Sequence, residues 1–182
     1  MTADDGRTSP VERPTLVGRR VTIRAGRPGD APRLHAILAE PSVAQWWGDP
    51  DPEDVIEEEL RGGGSSVLLV VEIDGHVAGG IQYHEENEPK YRHAGIDIYL
   101  AGAYQGRGAG GEAIVLLARF LFDERGHHRI TIDPAAANER AIRCYTKVGF
   151  RPVGLMRQYE RGGDGRFHDG LLMDVLRGEL HS

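Results

Sequence analysis

Cysteine is nearly absent: Cys144 stands alone in 182 residues, so no internal disulfide can form and a reducing compartment, the cytoplasm, is expected. No stretch reaches the ~18 consecutive apolar residues of a membrane span. The opening "MTADDGRTSPVERPTLVG" lacks the apolar segment of a secretory signal, and residues 1–14 read as a flexible N-terminal arm. A formal net charge of −6 is the opposite of the basic footprint that a nucleic-acid partner requires. The histidines, His127 and His128 included, show no metal-ligand spacing, so no metal is expected. Repeats, low-complexity tracts and linkers are missing as well. Residues 15–182 therefore read as one domain, long enough to enclose one sizeable core.

What is present is acid, unevenly placed. Between Asp49 and Glu59 stand seven carboxylates and no lysine or arginine, and Glu85, Glu86 and Glu88 form a second cluster. Such clusters around a cleft would concentrate a cationic ligand. The 53–59 run taken alone reads better as the solvated face of a helix.

The hydrophobic pattern gives an order of elements. "RRVTIRAG" alternates and predicts a strand over Val21–Ala25. Leu34, Ile37 and Leu38 follow at helical spacing after Asp30, a possible N-cap. "DPDPEDVIEEELR" offers Asp51 as N-cap and Pro52 at the first helical position, with glycines 62–64 as the stop. Asp74-Gly75 joins two apolar runs as a hairpin. His93–Leu100 predicts another strand, and "GGEAIVLLARFLFDE" a helix with Ala113, Leu116, Leu117, Phe120 and Leu121 on one face. "RITID" is a strand, "NERAIRCYTKVGF" a helix opened by Asn138 and stopped at Gly149, and a hairpin around residues 162–165 closes the chain. The order β, α, α, β, β, β, α, β, α, β, β predicts an α+β fold, a mixed and mostly antiparallel sheet of six to seven strands with helices on both faces.

"YQGRGAGGEAI" bears two readings. Gly106-Arg107-Gly108-Ala109-Gly110-Gly111 satisfies the dinucleotide fingerprint G-x-G-x-x-G, and with Gln105 in front it satisfies Q-x-x-G-x-G. Both loops use glycines to close backbone N–H groups on a phosphate at a helix N-terminus. A dinucleotide fold carries its fingerprint in the first βα turn, whereas this loop follows three antiparallel strands. No Gly-Lys-Ser/Thr follows, which excludes a Walker loop.

The Q-x-x-G-x-G loop between a strand and an apolar helix resembles that of the GNAT acyltransferases. The segment "DPAAANERAIRCYTKVGF" resembles that family's second conserved stretch, with Asn138, Ala141, Tyr145, Gly149 and Phe150 in place. The likeness extends from about Val21 to Leu176. Trp46-Trp47-Gly48, Gly95-Ile96-Asp97 and "AIRCYTKVGF" look like aminoglycoside 6'-N-acetyltransferases, although "WWG" also occurs in acyltransferases of siderophore assembly.

The resemblance implies a GNAT fold and acetyl-coenzyme A as co-substrate. It places Gln105, Gly106, Arg107, Gly108, Ala109, Gly110 and Gly111 at the pyrophosphate, with Asn138 and Tyr145 beside the donor. Backbone N–H groups of Ile98, Tyr99 and Leu100 would meet the pantetheine arm and the thioester oxygen. Asp97 is implied at the acceptor amine and Tyr145 as the acid toward the leaving thiolate. Trp46, Trp47, Asp97 and Asp133 would form the acceptor side with the acidic clusters. The residues alone leave other roles open: Gln105 as a helix cap, Asp97 as a polar strand position, Tyr145 in an apolar stripe with 141, 142 and 148, Asp133 as the start of a turn. The expected partner is a cationic small-molecule amine, most simply an aminoglycoside modified at its 6' or 2' amine, met by a monomer or homodimer. A protein N-terminus, a lysine-derived siderophore precursor, or a non-catalytic acyl-coenzyme A-binding module are the alternatives.

Overall fold

The computed structural model describes residues 13–49, 52–62 and 65–181. Residues 1–12, most of the expected arm, and Asp51, the expected N-cap, lie outside the described residues, as do Gly63 and Gly64.

Eight strands form one sheet in the order β1-β2-β3-β4-β5-β6-β8-β7. They are β1 (Leu16–Val17), β2 (Val21–Ala25), β3 (Val67–Ile73), β4 (His76–Glu86), β5 (His93–Leu100), β6 (Arg129–Ile132), β7 (Arg151–Arg161) and β8 (Phe167–Leu176). The short β1 is the strand beyond the expected six to seven. The β5–β6 pair alone is parallel. β3 is buried along Val67–Val71, as its unbroken apolar run demands of a strand covered on both faces. The β3–β4 hairpin turns on Asp74 and Gly75, with φ of 51° and 76°, the left-handed pair of a tight turn.

Helices cover both faces. On one lie α4 (Ala109–Asp123) and α5 (Glu139–Lys147), with Ile114, Leu117, Leu121 and Tyr145 packed against Ile81, Tyr83, Ile96 and Ile130. On the other lie α1 (Ala31–Leu38), α2 (Pro41–Trp47) and α3 (Glu53–Arg61), with Leu34, Ile37, Ile56 and Leu60 against Leu68, Val70 and Tyr99. α2 is new to the sequence reading. It has seven residues and buries only Val43, too little periodicity to announce a helix.

Among the described residues, none of the acids of the 49–59 run lines the cleft described below. α3 buries Ile56 and Leu60 and turns Glu53, Asp54 and Glu58 to solvent. Glu85 is tied to Arg125 at 2.8 Å and to His127 at 2.7 Å, an ion-pair group that clamps the chain after α4. The expectation that these clusters form the acceptor side finds no support in the cleft described below, whose lining includes neither.

Candidate active site

The parallel pairing of β5 with β6 lasts two residues, Ala94↔Ile130 and Gly95↔Thr131, and then the strands part. Beyond Gly95, β5 keeps only β4 as a partner, so a wedge opens in the middle of the sheet. Ala101 N–H donates to the Ala78 carbonyl of the β4 side at 2.9 Å. Because backbone groups alternate along a strand, Asp97 and Tyr99 also turn theirs to β4, while Ile98 and Leu100 turn theirs into the wedge. Two of the three expected amide donors thus face it. Tyr99 contributes its ring instead, lying against Gly80 and meeting Trp47 edge-on at 5.0 Å.

A cleft of about 390 Å³ runs through this wedge. At one end lies the glycine loop. Gly106 and Gly108 hold φ of 73° and 84°, which L side chains rarely adopt, and Gly108 is the N-cap of α4. No side chain caps that helix, so its first N–H groups are open to a ligand. Gly106, Gly108, Gly110 and Gly111 line the cleft. Arg107 is exposed at the lip, and Ala109 points its methyl into the core. Gln105 does not cap α4: its Nε2 donates to the Leu100 carbonyl at 2.7 Å and staples the loop to the strand before it. Asn138 is the N-cap of α5, its Oδ1 accepting from Ala141 N–H at 3.1 Å at the edge of the same cleft. The cleft is also lined by Arg140, Arg143 and Lys147 of α5, cations that no local motif announces.

At the other end stand three carboxylates: Asp97, Asp133 and Glu160. Asp97 accepts from Gln82 Nε2 at 3.2 Å across the β4–β5 pair. Burial pushes its carboxyl above the ordinary aspartate value, and the nearby Asp133 charge adds to this, against the Gln82 bond and His84. The His84 imidazole fills the space over Gly95, where a side chain would otherwise stand. Glu160 is likewise raised by burial, then by Asp133 and Asp97. The neighbouring Asp133 carboxylate, with partial burial, pushes the Tyr159 phenol up to about 12. Asp133 is thus part of the carboxylate group and more than a turn residue.

Trp46 and Trp47 divide their roles. Both line the cleft; Trp47 also packs on the α1–α3 core, while Trp46 stands between this cleft and an adjoining cavity lined by Gly162, Phe167 and His168. His168 and Asp169 support the β7–β8 hairpin end, bonding Asp164 Oδ1 and Gln158 N–H. Tyr145 is buried, its ring 6.3 Å from Phe150, and borders the cleft. Burial raises its phenol first, then the charges of Cys144, Asp97 and Asp133. Cys144, half-buried against Gly111, has its thiol raised by burial, which disfavours the reactive thiolate. Among the described residues no group of three or more His, Cys, Asp or Glu could hold a metal ion, and no helix is long and apolar enough to cross a membrane.

An uncapped helix N-terminus, a strand edge with free amides and a cleft joining them to a cluster of carboxylates suit a long phosphorylated thioester on one side and an amine on the other. The chain belongs to the GNAT family of acetyltransferases, whose family pattern it matches over residues 31–150. It is an acetyl-coenzyme A-dependent acetyltransferase. Within that family it is similar to the aminoglycoside N(6')-acetyltransferase type 1 of Klebsiella pneumoniae, 32% identical over 157 residues that span 74% of this chain and 75% of the relative. The spermidine N(1)-acetyltransferase of Escherichia coli K12 is 28% identical over 73% of this chain and 74% of its own length. The solved structure of AAC(6')-Ib in complex with ribostamycin and coenzyme A superimposes with a TM-score of 0.71 at 25% identity, covering 88% of this chain and 95% of that one.

Proposed function

We propose that the protein transfers the acetyl group of acetyl-coenzyme A to a primary amine of an aminoglycoside, at the 6' or the 2' position. The observation that carries this reading is the trio Asp97, Asp133 and Glu160 at the acceptor end of the cleft. Asp97 and Glu160 have carboxyls raised by burial and then by neighbouring carboxylates, Asp133 for Asp97 and Asp133 with Asp97 for Glu160, a state that a polycation relieves. The similarity to an aminoglycoside N(6')-acetyltransferase supports the same class of acceptor.

Acetyl-coenzyme A supplies the activated thioester; the chain's residues do the rest. The α4 amides hold its pyrophosphate, and the Ile98 and Leu100 amides in the wedge hold the arm and polarise the carbonyl as charge builds on its oxygen. Asp97 holds the ammonium in line, and its raised carboxyl narrows the gap over which it takes the amine proton, directly or through water. The amine nitrogen bonds to the carbonyl carbon and the carbon–sulfur bond breaks. Tyr145, kept protonated by burial, donates a hydrogen bond to the departing sulfur. Fixing both reactants across one wedge supplies the proximity term.

Free-thiol release with kanamycin-type aminoglycosides, spermidine and an N-terminal peptide tests the acceptor. Saturation is expected with the aminoglycosides; saturation only with the peptide or with spermidine overturns the assignment. Asp97→Asn should lower kcat/KM for the acceptor about a hundredfold while coenzyme A binding changes less than about twofold. Unchanged turnover removes Asp97 from the mechanism.

A further inference from the structure

We propose that Arg20, in the turn between β1 and β2, is a positioning residue for the donor loop, acting through the peptide that joins Arg107 to Gly108. The proposal rests on reading residues 106–111 as the pyrophosphate loop. Arg20 Nη1 donates to the Arg107 carbonyl at 2.8 Å. The Arg20 backbone N–H donates to Glu112 Oε1 at 2.9 Å, and Val21 N–H approaches the same oxygen at 3.4 Å. Gly18 N–H closes the turn on the Val21 carbonyl at 2.8 Å. A Cβ on Gly18 would stand 2.4 Å from Glu112 Oε1, so glycine there lets the turn seat on α4 without displacing the Glu112 carboxylate. The contacts join residues about ninety positions apart, and nothing in the local sequence announces them.

The consequence follows from peptide planarity. In a trans peptide the carbonyl of Arg107 and the N–H of Gly108 point in opposite directions. Gly108 lines the cleft and Arg20 does not. With Arg20 holding the carbonyl on the outer side, the Gly108 N–H is turned toward the cleft, where a pyrophosphate oxygen would accept from it. The unit needs such a lock, because Gly108 tolerates the backbone change that reverses a peptide plane. Glu112, in the first turn of α4, would otherwise put a carboxylate near the bound anion. The two N–H groups of the β1–β2 turn hold it back toward β2. Arg20 and Glu112 thus work as one strut from the sheet edge to the loop.

Calorimetry with coenzyme A, which needs no acceptor, tests the idea on the full chain. Arg20→Ala and Arg20→Met should each weaken coenzyme A binding about three- to tenfold, the range of one lost hydrogen bond. KM for acetyl-coenzyme A should rise in parallel while kcat stays within about twofold and the melting temperature holds. Arg20→Lys, keeping a donor, should recover most of the loss. Since both act on one peptide, Arg20→Ala placed on Gly108→Ala should cost much less than the product of the two separate effects. Unchanged affinity in Arg20→Ala, or full additivity with Gly108→Ala, overturns the strut. Wild-type chain that binds no coenzyme A overturns the loop reading and the strut together, so the two failures are distinguishable.

Discussion

Asp97 shows how much one residue's chemistry depends on its surroundings. In the sequence it is an aspartate in an apolar strand; in the fold it is a half-buried carboxylate with one amide partner and a charged neighbour. A carboxyl raised by burial releases its proton only at a pH above the usual ~3.9. If the ionised form holds the ammonium, acceptor kcat/KM should fall as pH drops through that raised value and be fully present above it. The acid limb should therefore lie above the ordinary aspartate range in the wild type and be absent from the residual activity of Asp97→Asn. Tyr145→Phe makes the complementary case. It removes one hydroxyl from a buried ring and should lower kcat about a hundredfold with little change in acceptor KM. A variant of unchanged kcat would return Tyr145 to core packing with Phe150. Asp97 and Tyr145 were legible because each sits in a distinctive local word, "GIDIY" and "AIRCYTK". Glu160 and Gln82 were not: Glu160 belongs to a polar hairpin end, and Gln82 matters only through its register opposite Asp97.

At the scale of elements, the most exacting one is the turn from β5 into α4. Its glycines were visible in the sequence, but the wedge that makes them useful was not, because strand divergence depends on where β6 stops pairing. Gly108 has open space around its missing side chain, so an alanine there would meet no neighbour. The strain would come from the backbone alone, at φ of 84°, and costs about 1–2 kcal/mol for an L residue. Gly108→Ala should thus destabilise the fold by about that amount and raise KM for acetyl-coenzyme A by at least as much as Arg20→Ala, because it bends the amides themselves. Equal KM and a lower melting temperature would mean that the loop's shape is structural only. The β3–β4 hairpin, the α5 caps and the two helical layers were readable from turn and cap chemistry, which is local. α2 and β1 escaped because one has a single buried residue and the other only two residues.

For the whole molecule, a net charge of −6 conceals a division inside the cleft. The proposed acceptor end carries Asp97, Asp133 and Glu160; the proposed donor side carries Arg140, Arg143 and Lys147, with Arg107 exposed in the adjoining loop. Each end offers the sign opposite to its expected substrate, a polycationic amine or a polyanionic cofactor. Such a field raises the local concentration of both ligands and weakens as salt shortens the screening length. Raising ionic strength from about 50 mM, where the Debye length is roughly 14 Å, to about 300 mM, where it is roughly 6 Å, should raise both KM values several-fold with kcat nearly constant. The two responses should also be separable. Glu160→Gln should flatten the salt dependence of acceptor KM and leave that of acetyl-coenzyme A; Arg140→Ala should do the reverse. If either substitution flattens both slopes, the cleft acts as one undivided field, and the assignment of its two ends to two substrates of opposite charge fails.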